Sequence, residues 1–211
     1  RNLLGETFEV GASKPGIFAI TNDPWVIDFD TQQPRRPRGE DVRRNTMVAQ
    51  QTEDVVCMSC MDFPIEECAD QTSSWRALEI HLNHQAKHYA VLAASPDTLH
   101  EWLKILTILN RDADLDGSGL MTCGVAVLSP LTLTQLNGEL LLEAAARRFA
   151  VLPTICPMAG TTSPYSLAST LVIAHAENLF MAALSQMVRE GSPFQYAMGP
   201  SVSHMRSAHD L

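Results

Sequence analysis

From Glu40 onward the chain alternates between two hydrophobic patterns. Unbroken apolar runs cover Val55 to Met61, His88 to Ala94, Met121 to Leu128, Val151 to Met158 and Pro193 to Met198. Helix-length segments fill the intervals: Glu40 to Gln51, Ser73 to His84, Pro96 to Leu109, Thr132 to Phe149 and Ser166 to Arg189. Runs that lack polar alternation suit strands covered on both faces, and crossovers of helical length join parallel neighbours. Two helix starts are legible. Ser95-Pro96-Asp97 sets a capping hydroxyl before a proline at the first helical position, and Thr132 with Gln135 has the spacing of a capping box. Leu136, Leu140, Leu141 and Ala144 recur at helical spacing and predict one stripe on the sheet, with Glu139, Glu143 and Arg147 facing out.

The first forty residues read differently. Phe8-Glu9-Val10, Gly16 to Ile20 and Trp25 to Phe29 are short β-prone runs separated by Lys14-Pro15-Gly16 and Thr21-Asn22-Asp23-Pro24, which are turn chemistry. They predict an antiparallel hairpin or meander. Gln32 to Gly39, with Pro34 and Pro37 among arginines, reads as a solvent-facing connector. The expected division is therefore a lead-in over 1–39 and a first barrel portion over 40–211.

Five strand-helix alternations fit either a doubly wound sheet or part of a (β/α)8 barrel. The doubly wound fold wants a glycine-rich turn after its first strand, and Cys57-Met58-Ser59-Cys60-Met61-Asp62 has none. The predicted class is thus α/β, a partial (β/α)8 TIM barrel of about five strands behind a small β hairpin. A closed barrel takes about 250 residues. The opening at Arg1 without a Met, and the close just after a strand-like run, point to an excerpt of a longer protein.

Composition narrows the partners. Hydrophobic residues make up 45% and charged residues 18%, which suits a packed chain rather than a disordered one. Fifteen Lys and Arg against twenty-four Asp and Glu give a net charge of -9 with no basic tract, so nucleic acid is not an expected partner. The most apolar stretch, Leu167 to Val188, contains His175, Glu177 and Asn178, and no membrane span is expected. Cys57, Cys60, Cys68, Cys123 and Cys156 are odd in number and scattered, as in a reduced, cytoplasmic protein.

In a barrel the chemistry sits where strands end. Those positions are Ser59 to Asp62, Ser95, Ser129 and Pro130, Pro157 to Pro164, and Gly199 to His204. Pro157-Met158-Ala159-Gly160-Thr161-Thr162-Ser163-Pro164 is the richest. Its hydroxyls and amides could hold a carboxylate or a polarised oxygen before a helix, or could simply cap that helix. Asp112-Ala113-Asp114-Leu115-Asp116-Gly117 opens like a calcium loop, but Cys123 stands where a bidentate Glu belongs, so it reads as a solvated turn. His81, His84 and His88 have a spacing that metal sites use, yet they also suit a helix end. Cys57 and Cys60 read as core, and no Gly-x-Ser-x-Gly elbow supports a hydrolase.

Ser129-Pro130-Leu131-Thr132-Leu133 and then Val151 to Pro164 resemble the trimethylamine methyltransferase family, which includes glycine betaine methyltransferases lacking pyrrolysine. His175-Ala176-Glu177, the Gln186 to Pro193 turn, and Trp25 to Phe29 followed by Glu40-Asp41-Val42 are similar to that family too. The resemblance implies a (β/α)8 barrel that moves a methyl group from a small methylated amine to the Co(I) of a partner corrinoid protein. It implies no cofactor bound directly, the cobalamin being carried by that partner, and a homo-oligomer. Co(I) is itself the nucleophile, so the barrel only orients the amine and excludes water. Met158, Gly160, Thr161 and Thr162 are then expected to shape the amine pocket, with Ser59, Ser129 and His204 at its rim. Where the family often has Asp before Met-Arg-Thr-Gly, this chain reads His204-Met205-Arg206-Ser207-Ala208. Two alternatives stand beside this reading. One is an inactive or truncated barrel that binds a small amine or pairs with another subunit; the other is an unrelated barrel enzyme that holds an anion on Gly160-Thr161-Thr162.

Overall fold

A computed structural model describes residues 2–9, 16–21, 23–61, 63–93, 95–109, 119–207, 209 and 210. The chain divides into two compact units, Arg1–Ala94 with Leu106–Met121, and Ser95–Ile105 with Thr122–Leu211.

The first unit holds β1 (Ile17–Ile20), β2 (Val26–Ile27), β3 (Pro34–Arg35), α1 (Gly39–Gln51), β4 (Val55–Met61), α2 (Asp70–His84) and β5 (His88–Leu92). β4 lies between β1 and β5 and is parallel to both. Among the described residues β2 and β3 form an antiparallel hairpin, its second strand lying in the 32–39 stretch expected as a connector. The run at 17–20 leaves that meander and pairs with β4, from Ile17 against Val55 to Ile20 against Ser59. The reason is the ladder: an apolar β4 with one side unpaired would leave a row of backbone groups without partners, and β1 satisfies them. Val10 and Lys14-Pro15 lie outside the described residues.

The connector does more than reach solvent. Arg35 grips Asp41 with two bonds, Nη1 to Oδ2 at 2.7 Å and Nη2 to Oδ1 at 3.0 Å, and its Nε reaches Asp28 Oδ2 at 3.1 Å. Asp41 also accepts the backbone N–H of Arg38 at 2.8 Å, which caps α1 and ties the hairpin to the helix start. The Thr31 amide and hydroxyl, with Arg35, hold the Asp28 carboxyl at about 2. Val42 and Ala49 of α1 and Ala77, Leu78 and Ile80 of α2 are buried, and Ala49 packs with Met58 of β4.

The second unit contains most of α3 (Pro96–Leu109) and β6 (Met121–Ala126), then α4 (Gln135–Ala146), β7 (Ala150–Thr154), β8 (Met158–Ala159), α5 (Leu167–Val188), β9 (Ser201–His204) and β10 (His209–Asp210). β6 and β7 are parallel in register, Cys123 against Val151 and Val125 against Pro153. β8 and β9 are parallel, and β10 is antiparallel to β9. Ser95 caps α3 as expected, its Oγ accepting Thr98 N–H at 3.1 Å. Both units repeat the strand, helix, parallel strand order, so the class is α/β, a partial (β/α)8 barrel.

Four expectations are corrected. The run at 193–198 is not a strand beyond one bridge, Phe194 beside Val151. Pro193 has no N–H to give, and the side chain of Asn178 takes both backbone groups of Ala197, donating to its O at 3.0 Å and accepting its N–H at 3.2 Å. The parallel pairings that hold the apolar runs are β1–β4–β5 in the first unit and β6–β7 in the second. α4 is capped by Thr134, which accepts from Asn137 N–H at 3.3 Å, because Thr132 is drawn into a bridge with Leu128. The helix also stops early: Arg148 has φ +58° and the Phe149 amide turns back to Ala144 O at 2.9 Å, burying the ring. Leu140, Leu141 and Ala144 are buried as predicted, but Leu136 falls in the exposed first turn.

Candidate functional site

The segment after β7 folds into a turn that closes on itself. Met158 O accepts three amides, from Thr161 at 3.1 Å, Thr162 at 3.0 Å and Ser163 at 3.1 Å, and Gly160 N–H donates to Ser163 O at 2.9 Å. Met158 N–H donates to Thr162 Oγ1 at 2.8 Å. Thr161 Oγ1 lies 3.0 Å from Ser203 Oγ on β9, and Ser163 Oγ lies 2.8 Å from Thr170 Oγ1 on α5. Gly160 sits at φ +94°, where a Cβ would collide with Met205 Sδ. The amides expected to be open to an oxygen ligand are therefore engaged internally. Ser166 precedes α5 without a side-chain cap bond.

These contacts bring most of the expected residues together. Met158, Gly160, Thr161 and Thr162 form one turn, and His204 ends the strand paired with it, Met158 lying against Ser201 and Ala159 against Val202. The exposed His204 ring binds Ser207 Oγ through Nδ1 at 2.7 Å.

Ser129 belongs to a second cluster. Its Oγ donates to Glu177 Oε2 at 2.8 Å, and the Leu131 backbone N–H donates to Glu177 Oε1 at 2.7 Å. The Ser129-Pro130 bond is cis, Leu131 has φ +54°, and the Leu128–Thr132 bridge closes the loop. Glu177 is 1% exposed, and both its oxygens hold the β6–α4 loop against α5. Beside it runs an apolar groove of about 390 Å³ lined by Val127, Leu131, Leu133 and Phe180. Glu177 and Asn178 went unassigned in the sequence. Their signal was present: Thr170, Glu177, Asn178 and Ser185 repeat at seven and eight residues inside an apolar helix, and all four are buried. By length and composition α5 is long and apolar enough to cross a membrane, but these polar side chains lie on its protein-facing side.

Ser59 belongs to the first unit, in β4 opposite Ala90, and is nearly buried. His81, His84 and His88 do not converge on a metal. His81 is fully buried, its Nε2 2.7 Å from Thr21 Oγ1, while the His88 ring meets Phe8 edge-on at 5.4 Å. Burial lowers the His81 imidazole to about 4. Among the described residues no group of three or more His, Cys, Asp or Glu could hold a metal ion. Cys57 and Cys60 are core, and burial pushes the Cys57 thiol up to about 12, against redox use. The 112–117 loop lies outside the described residues.

The loop after β6 and the turn after β7 both follow the ends of parallel strands, where (β/α)8 barrels carry their functional loops. The chain belongs to the trimethylamine methyltransferase (MTTB) family, which matches residues 6–209. It is 24% identical over 204 residues to the trimethylamine methyltransferase MttB of Desulfitobacterium hafniense, covering 94% of this chain and 40% of that relative. The chain thus spans about two fifths of that relative's length.

Proposed function

We propose that this chain is part of a methyltransferase that takes a methyl group from a methylated amine, trimethylamine or a glycine betaine-like quaternary amine, and delivers it to the Co(I) of a corrinoid protein. The family match across residues 6–209 carries this reading. The reduced corrinoid is the second substrate, cobalamin being carried by the partner rather than bound by this chain. With a quaternary amine, the C–N bond breaks as the methyl carbon bonds to cobalt, and the amine leaves with its electron pair. No proton need move in that step, so the barrel's task is to orient the amine, strip its water and aim one methyl in line.

Met158, Gly160, Thr161 and Thr162 are proposed to shape the amine pocket, with Ser59, Ser129 and His204 at its rim. The fixed turn at 158–163 and the Glu177 latch on the Ser129 loop favour such a role, since both hold loop backbone in one conformation. The setting is proposed to be cytoplasmic. One observation favours a second reading, a barrel that binds a small amine or pairs with another subunit without turnover: His204 stands where the family often has Asp, and its exposed ring is held by Ser207 Oγ.

The test is the complete protein with trimethylamine or glycine betaine and a Co(I) corrinoid protein, followed by the cobalamin absorption spectrum. Amine-dependent loss of the Co(I) bands supports methyl transfer. Saturable amine binding in a calorimeter without any spectral change supports the second reading.

A further inference from the structure

Buried polar groups without partners collect at one place in the first unit. Six side-chain polar atoms among the described residues are buried and lack a hydrogen-bond partner, and four of them belong to His81, Gln85 and Tyr89. His81 and Tyr89 are 0% exposed and Gln85 6%. Gln85 ends α2, its backbone N–H bonded to His81 O at 2.9 Å, which sets the two residues one turn apart. Tyr89 lies on β5 opposite Met58, and its ring stands 6.4 Å from the His81 ring. Thr21 Oγ1, 2.7 Å from His81 Nε2, fixes the imidazole at one edge and leaves Nδ1 as the nitrogen to be satisfied.

Gln85 and Tyr89 are close but not joined. Burial pushes the Tyr89 phenol up and the Gln85 side chain draws it back down, which only a near neighbour does. Yet neither the carboxamide nor the hydroxyl closes a hydrogen bond of ordinary length and angle. An unpaired donor or acceptor in the core is destabilising, and four in one cluster call for a common partner.

We infer that one internal water molecule binds here, bridging His81 Nδ1, the Gln85 carboxamide and the Tyr89 hydroxyl and so joining the end of α2 to β5. Polar atoms that face one another without a direct bond are where bridging waters sit, and a buried water takes roughly two to four polar partners. The chemistry of the partners selects water over an ion. Burial lowers the imidazole to about 4 and keeps the phenol protonated, so all three groups are uncharged at neutral pH. They offer donors and acceptors together: an amide NH2 beside an amide oxygen, a hydroxyl able to act as either, and a ring nitrogen whose role follows the tautomer. Water can turn to meet that mixture, whereas a cation would face N–H hydrogens and an anion would face lone pairs. The site lies wholly within the first unit and does not depend on the methyl-transfer reading.

A crystal structure of the complete protein, at a resolution that shows ordered solvent, should place one water within about 3.2 Å of at least two of these three groups. In solution, oxygen-17 relaxation dispersion should find one fewer long-lived internal water in Gln85→Leu than in wild type, because leucine fills similar space without polar atoms. Tyr89→Phe removes one anchor and leaves two, so its water should stay but exchange faster. In denaturant unfolding the loss for the double variant should be smaller than the sum of the two single losses, since either change alone already weakens the shared bridge. A direct Gln85–Tyr89 hydrogen bond with no density between the groups, equal numbers of long-lived waters in wild type and Gln85→Leu, or single losses that simply add would each overturn the inference.

Discussion

His81 and Glu177 show how single buried polar groups bear on this protein. The His81 ring lies in the core beside Thr21 and Tyr89, and burial moves its imidazole from 6.5 to about 4. A depressed value means the fold prefers the neutral ring. The stability that ring supplies is present above pH 6.5, is lost as pH falls from 6.5 to about 4, and changes no further below that. The loss amounts to roughly 3 kcal/mol. Denaturant unfolding of wild type and His81→Gln across that window should show the variant with the shallower fall; equal slopes would contradict the burial argument. Glu177 acts differently, as the acceptor for a loop. Glu177→Ala leaves the Ser129 hydroxyl and the Leu131 amide without it and should cost about 2–4 kcal/mol in unfolding experiments. Glu177→Gln, which keeps one acceptor oxygen, should cost less. Equal losses would mean that volume, not hydrogen bonding, is what matters there.

At the scale of elements, turn geometry governs the candidate site. Gly160→Ala would put a methyl at φ +94° against Met205, and should lower stability by about 1–3 kcal/mol. A thermal melt checks it; an unchanged midpoint would mean that Met205 and the β8–β9 pairing yield freely. The contrast with the helices is instructive about what a sequence discloses. α3 begins at Pro96 and ends at Leu109, and β4 covers Val55–Met61, as the apolar runs and the Ser95 cap predict. Those signals are local. The partner of residues 17–20 is not, because an apolar tetrapeptide can complete a hairpin or a distant parallel edge, and only the β4 ladder decides. The 193–198 run failed as a strand for a similar reason, since a side chain nineteen residues earlier, Asn178, holds the backbone of Ala197. Thr132 has a capping residue's chemistry but is withdrawn by its bridge to Leu128.

For the molecule as a whole, alternation alone disclosed an α/β chain of parallel strand-helix units, and family motifs from Ser129 to Pro164 disclosed the lineage that residues 6–209 match. The grouping of candidate residues was legible in part. The 158–162 turn and its neighbour His204 lie together because both follow or end strands, where barrels keep their loops. Glu177 was not found, because an ionisable residue within an apolar helix carries no mark of which loop it will reach. The methyl transfer proposed for a quaternary amine calls for a rigid, dry pocket more than for an acid or a base, and a turn whose polar groups satisfy one another can serve as a wall of such a pocket. The most direct measurement of that claim is a single turnover of the complete protein with glycine betaine or trimethylamine carrying a carbon-13 methyl and a Co(I) corrinoid protein, followed by carbon NMR. The account predicts that labelled carbon leaves nitrogen and appears bound to cobalt in step with loss of the Co(I) spectrum. Label that stays on nitrogen with each of these amines, while the corrinoid remains reduced, would contradict it.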